Sequence, residues 1–87
     1  MNEHKARTHA EQSRPSHGVP AGAELVEVER RYIELAGPDP TTPAPVRDVL
    51  AWVARFENES GWMDLAIDDH SGDVVRVERS RGLTAGS

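Results

Sequence analysis

Residues 46–79, VRDVLAWVARFENESGWMDLAIDDHSGDVVRVER, decide the fold, and their first half reads as a helix. Starting at Val46 and advancing about 100° per residue, Phe56, Val49, Val53, Val46, Leu50 and Ala54 share an arc of roughly 160°. Asp48, Arg55 and Glu59 fall opposite, with Ala51 beside them. Trp52 lies at the edge of the arc, where its ring covers core and its N–H stays wet. Pro43 and Pro45 suit a helix entrance, with Thr42 or Thr41 as the cap. Asn58-Glu59-Ser60-Gly61 is the stop, with Gly61 in the left-handed region.

Beyond Gly61 the period changes to two. Met63, Leu65 and Ile67 point one way, and Trp62, Asp64, Ala66 and Asp68 the other. Val74-Val75-Arg76-Val77-Glu78 is β-branched and forms the return strand. A four-residue loop at 69–72 sets Ile67 opposite Val74 and Leu65 opposite Arg76, which mixes the faces. A three-residue loop, His70-Ser71-Gly72, pairs Ile67 with Val75 and Leu65 with Val77, turning both valines inward. It also puts glycine where a type I turn with a bulge needs positive φ, so this register is preferred. Asp64 then faces Glu78, with Arg76 on the diagonal within its reach. The apolar side of this hairpin has the helix arc as its partner.

The chain has 87 residues, enough for one domain, and no cysteine. A core of this size supplies about 3–5 kcal/mol, and no disulfide or Cys-based zinc site adds to it. That shortage favours oligomerisation or docking on a partner. No apolar run approaches membrane-spanning length and no signal-peptide pattern opens the chain, so a soluble, cytoplasmic protein is expected. Charge divides unevenly: residues 1–21 carry a net +1, and the rest a net −6 of the total −5. An acidic body argues against duplex nucleic acid as the main ligand.

Residues 1–21 lack periodicity and read as a disordered polar tail. His4, His9 and His17 lie in it at spacings that match no metal site. Residues 22–83 form the single domain, and residues 84–87 a frayed end. Residues 23–36 are ambiguous. As a helix, Leu25, Val28, Tyr32 and Leu35 repeat at three, four and three, with Glu27 and Arg31 paired one turn apart. As a strand, Val26, Val28 and Tyr32 have suitable side chains, but Arg30 interrupts their face. The helix is preferred. Residues 37–45 hold four prolines and make a stiff linker.

Asp68, Asp69, His70, Ser71 and Asp73 are the catalytic-looking group. Catalysis needs a pocket that excludes water, and a hairpin tip supplies none, whereas Asp, Ser and Gly are what tight turns select. For an EF-hand the same loop is too short and out of phase. Trp62 is different: a two-layer fold leaves it outside, and tryptophan is enriched at binding hot spots. No phosphate loop, HExxH or nucleophile elbow occurs.

The run Gly61-Trp62-Met63-Asp64-Leu65-Ala66-Ile67, with Ser71-Gly72-Asp73-Val74-Val75-Arg76-Val77-Glu78-Arg79, resembles the YezD-like small bacterial proteins. The resemblance covers residues 49–83. It implies an amphipathic helix, a glycine, a short strand, a turn and a return strand, and it brings no activity. Here Trp62 stands where those proteins have a tyrosine-like residue, the turn is longer, and the N-terminal half has no counterpart.

The expected fold is therefore α+β. One or two amphipathic helices pack on a two-stranded antiparallel hairpin, in the order α-α-β-β or alternatively β-α-β-β. A second copy could complete a larger sheet, since a lone hairpin is marginal. The expected function is that of a small acidic, non-enzymatic module binding another protein. Its interface is Trp52, Trp62, Asp64, Arg76 and Glu78, and no cofactor or metal is required. The alternative is a regulator touching nucleic acid through Arg76, Arg79, Arg81 and the basic tail.

Overall fold

A computed structural model describes residues 1–35 and 47–81. The proline linker at 37–45, the expected helix entrance and the end at 82–87 lie outside the described residues. One helix, α1 (Glu3–Ser13), and a short 3-10 turn at Pro15–His17 precede four strands. These are β1 (Glu24–Leu35), β2 (Arg47–Asn58), β3 (Gly61–Asp68) and β4 (Val74–Arg79). They form one antiparallel sheet in the order β1-β2-β3-β4, each strand pairing with the next in sequence.

This corrects the expected layout: where a helix is predicted, residues 47–58 form strand β2, an inner strand of the sheet. Val53 pairs with Glu29 on one side and Ala66 on the other. A central strand buries both of its faces, so its apolar residues run together instead of alternating. The run from Val49 to Ala54 is of that kind, and its helical arc is incidental. Residue type settles what periodicity could not, because Val49, Trp52, Val53 and Phe56 are β-branched or aromatic. Gly61 is not a helix stop but the end of a tight β2–β3 turn, with φ 151. There the Asn58 Oδ1 accepts the N–H groups of Ser60 (2.8 Å) and Gly61 (3.2 Å).

Residues 23–36, preferred as a helix, carry strand β1, so neither the α-α-β-β nor the β-α-β-β order holds. A bulge explains the mixed signal. Leu25 pairs with Phe56 and Glu27 with Arg55, leaving Val26 as the extra residue, 48% exposed. Arg30 does share a face with Val28 and Tyr32, and its guanidinium carbon lies 5.7 Å from the centre of the Trp52 ring.

The helix is instead in the segment expected to be a tail. The Asn2 side chain caps it by accepting the Lys5 N–H at 2.8 Å, with Glu3 in the first turn. Glu3–Arg7 (3.4 Å) and Glu11–Arg14 (2.6 Å) add ion pairs along its surface. It buries only Ala6 and Ala10, one turn apart. The small side chains bring it close to a core of Val28, Trp52, Ala54, Phe56, Met63, Leu65 and Ile67. Arg14 covers the end of that core, 4.6 Å from the Phe56 ring centre.

The β3–β4 hairpin follows expectation in part. Leu65 pairs with Val77 and Asp64 with Glu78, but Ile67 pairs with Val74 because Val75 is bulged out. The bulge joins the longer loop to the register expected of the shorter one. Val75 consequently packs on the second face, with Ile33, Ala51, Val53 and Ala66. Val77 is 40% exposed, so the two valines do not both point into the main core.

The hairpin tip also docks the helix. Gly72 has φ 79, and a Cβ built there would lie 2.9 Å from the His9 Cε1. The Gly72→Ala substitution should cost about 1–2 kcal/mol for the backbone conformation, and more for displacing His9. Urea denaturation of a double-mutant cycle with His9→Ala checks this: His9→Ala should remove the excess and leave the backbone part.

Candidate functional site

The sheet face away from α1 gathers most of the groups that carry chemistry. Alternation along the paired strands puts Glu27, Glu29, Arg31, Arg55, Glu57, Trp62, Asp64, Arg76 and Glu78 on this side. Its floor is the small cluster Ile33, Ala51, Val53 and Ala66, flanked by Leu35, Val49 and Val75.

This face is curled. In a flat sheet β1 and β4, three strand spacings apart, would be separated by about 14 Å. Yet the Arg76 guanidinium of β4 donates to the Glu34 backbone carbonyl of β1 at 3.5 Å. The extended Arg76 side chain spans only part of that separation, so the sheet curls toward this face, with Ala51 and Ala66 on its floor. Leu35, Val49 and Val75 pack against this floor, and Glu57 and Trp62, paired across β2 and β3, lie at the end away from Leu35.

Beside the Glu57–Trp62 pair one ion pair sets the electrostatics. Arg55 and Asp64 are direct partners across β2 and β3. The Arg55 Nε and Nη2 donate to the two Asp64 carboxylate oxygens at 2.8 and 2.9 Å. This two-pronged geometry fixes both side chains. Those hydrogen bonds, with the negative charges of Asp64, Glu57 and Glu27, raise the Arg55 pKa above its ordinary value against the opposing effect of burial. Asp64 is the buried charged residue of the described chain, at 6% exposure. The same guanidinium lies over the Trp62 ring, 4.4 Å from its centre. Trp62 is half-buried. Its backbone is held to Ser80, whose Oγ accepts the Trp62 N–H (3.0 Å) and whose N–H donates to the Trp62 carbonyl (2.9 Å).

Of the five residues expected at an interface, the structure brings four onto this face: Trp62, Asp64, Arg76 and Glu78. It separates Trp52, which is 8% exposed in the core on the helix side. The Trp52 indole N–H is not wet: it donates to the Asp69 Oδ1 at 2.7 Å. Arg76 reaches Glu78 on its own strand, at 3.1 Å. Arg55 is the residue that sequence reasoning missed. Its alignment with Asp64 exists only once both segments are strands; the signal was a pair of opposite charges flanking a glycine turn at matching distances.

Within the Asp68–Asp73 loop, Asp68 and Ser71 bond to the loop's own backbone, while Asp69 turns to Trp52. The Asp68 Oδ1 accepts the N–H groups of His70 (2.7 Å) and Ser71 (2.8 Å). These bonds, the one from Ser71 foremost, hold the Asp68 carboxyl below its ordinary pKa. The Ser71 Oγ accepts the Asp73 N–H at 3.2 Å. Among the described residues, no three His, Asp or Glu side chains converge as a metal site would require. The hollow bounded by Glu27, Glu29, Arg31, Val53, Arg55 and Asp64 measures about 170 Å³. That is below the size of sites that enclose a cofactor or drug-sized ligand. Among the described residues no helix is long and apolar enough to cross a membrane.

Comparison of the chain with protein-family models, curated proteins and solved structures gave no match. The helix that the YezD-like resemblance implies ahead of the hairpin is not observed, since β2 occupies that position.

The ion pair has a measurable stability signature. Arg55→Leu leaves a buried carboxylate without its partner and should destabilise the fold by about 1–3 kcal/mol. Arg55→Leu with Asp64→Leu removes both charges and should recover most of that loss. Thermal unfolding of the three proteins distinguishes the outcomes; a neutral Arg55→Leu would show that Asp64 does not depend on the pair.

Proposed function

We propose that this chain is a small acidic interaction module that binds another protein through the Trp62 end of its curled sheet face. The observation that carries the reading is Trp62, half-buried and stacked under the guanidinium of Arg55. A large amphipathic ring fixed in place contributes contact area at little cost in side-chain entropy, and Trp and Arg are enriched where interfaces are strongest. Glu78 and Arg76 on the same face, with the Arg55 guanidinium that the buried Asp64 holds over the ring, give a partner charges of both signs in fixed positions. A cytoplasmic setting belongs to this reading, and the lack of cysteine fits it.

A nucleic-acid partner has less support. Arg76 is engaged by Glu78 and by the Glu34 carbonyl, while Arg79 pairs with Met63 and so lies on the opposite face. The three arginines do not form one basic patch, which phosphate binding would need.

The test is a comparison of wild type, Trp62→Ala and Trp62→Phe as bait, with the affinity of each recovered partner then measured by calorimetry. Trp62→Ala should weaken binding by about 2 kcal/mol or more, roughly 30-fold, and Trp62→Phe by less. Equal affinities for wild type and Trp62→Ala would remove the proposal.

A further inference from the structure

β1 is the outermost strand of the sheet, so its outer edge has no partner strand among the described residues. It is twelve residues long and carries Tyr32 at 71% exposure. Long exposed edges invite pairing, and natural proteins blunt them with charge. Here the charges have a second property: Glu29-Arg30-Arg31 reads as complementary to itself when reversed.

We infer that two copies of this chain join edge to edge along β1, antiparallel and about a two-fold axis at Arg30, making one continuous eight-stranded sheet. In an antiparallel pair directly opposite residues share a face, so only registers that place odd numbers opposite odd and even opposite even are allowed. With Arg30 on the axis, Glu29 meets Arg31 of the second copy, and Arg31 meets its Glu29. Glu29 and Arg31 already lie 3.7 Å apart within one chain, so the pairing makes a square of alternating charge. On the other face Val28 meets Tyr32 twice, an aromatic and β-branched pair that covers the exposed ring. The axis sets two arginines opposite each other, but Arg30 leans inward over Trp52 and away from the edge.

The neighbouring registers are worse. Placing the axis at Glu29 or at Arg31 sets like charges face to face on the trough side, where no aromatic ring draws them inward. Placing it at Tyr32 pairs Arg30 with Glu34 and would draw Arg30 off the Trp52 ring. The favoured overlap runs from 27 to 33, within the stretch that follows the Val26 bulge, so the ladder is regular throughout. Glu29 and Arg31 also bound the hollow beside Arg55 and Asp64, but the edge uses β1 and the Trp62 surface uses β3, so the mass of the chain and the Trp62→Ala affinity report on the two separately.

Light scattering on the full chain should give twice the 9.6 kDa of one copy. Arg31→Glu should return it to a single-copy mass, and Glu29→Arg with Arg31→Glu should restore the doubled mass. Because the chain has no cysteine, single substitutions report the register. Arg30→Cys should cross-link under mild oxidation much faster than Tyr32→Cys, since only residue 30 faces its own copy. Circular dichroism of each variant confirms that it is folded. A single-copy mass for the wild type at high concentration would overturn the inference. So would a dimer that survives Arg31→Glu, or faster cross-linking at residue 32.

Discussion

Strand β2 is hydrogen-bonded on both of its edges, to β1 over eleven residue pairs and to β3 over eight. Each residue from Ala51 to Glu57 therefore has a fixed neighbour on either side, and the alternation of β2 assigns a face to everything else. Trp52, Ala54 and Phe56 define the side that α1 covers. Val49, Ala51, Val53 and Arg55 define the trough. Were β2 a helix, Arg55 would not meet Asp64, and Trp62 would have no guanidinium above it.

The two faces are stabilised differently. The helix side has the larger side chains, with Phe56, Met63, Leu65 and Ile67 fully buried. Its cover is a polar helix that contributes two alanines, so close approach stands in for a broad apolar stripe. Contacts at the helix margins, Arg14 on Phe56 and His9 on Gly72, fix where it lies. The trough has small residues on its floor and charged ones on its rim. Curling brings Arg76 to β1 and shields the floor without a second helix among the described residues.

How much of this was legible in the sequence depends on how plainly residue type distinguishes the two faces of each segment. The β3–β4 hairpin could be read because β3 alternates: Leu65 opposite Val77, Asp64 opposite Glu78 and the positive φ at Gly72 are all present. The bulge at Val75 could not, because it joins a loop and a register that were weighed as exclusive alternatives. Trp62, placed by alternation on the face opposite Met63, Leu65 and Ile67, is there. Trp52 was misplaced because its position was read from a helical arc, and β2 carries a run of six apolar residues that suits either structure. In β1 the extra residue at Val26 shifted the pattern by one, and Arg30 disguised an apolar face by stacking on Trp52. The helix α1 gave almost no signal, since Ala6 and Ala10 are too small to stand out from the polar residues around them. Its one readable mark was the Asn2 cap with Glu3 in the first turn.

The central position of β2 is tested most directly by NMR on the isotope-labelled chain. Cross-strand contacts should connect the Val53 backbone to Glu29 and to Ala66 in the same molecule, and the amides from Ala51 to Phe56 should exchange slowest with solvent. Sequential amide contacts of helical type through residues 47–58, with none to Glu29 or Ala66, would contradict the account.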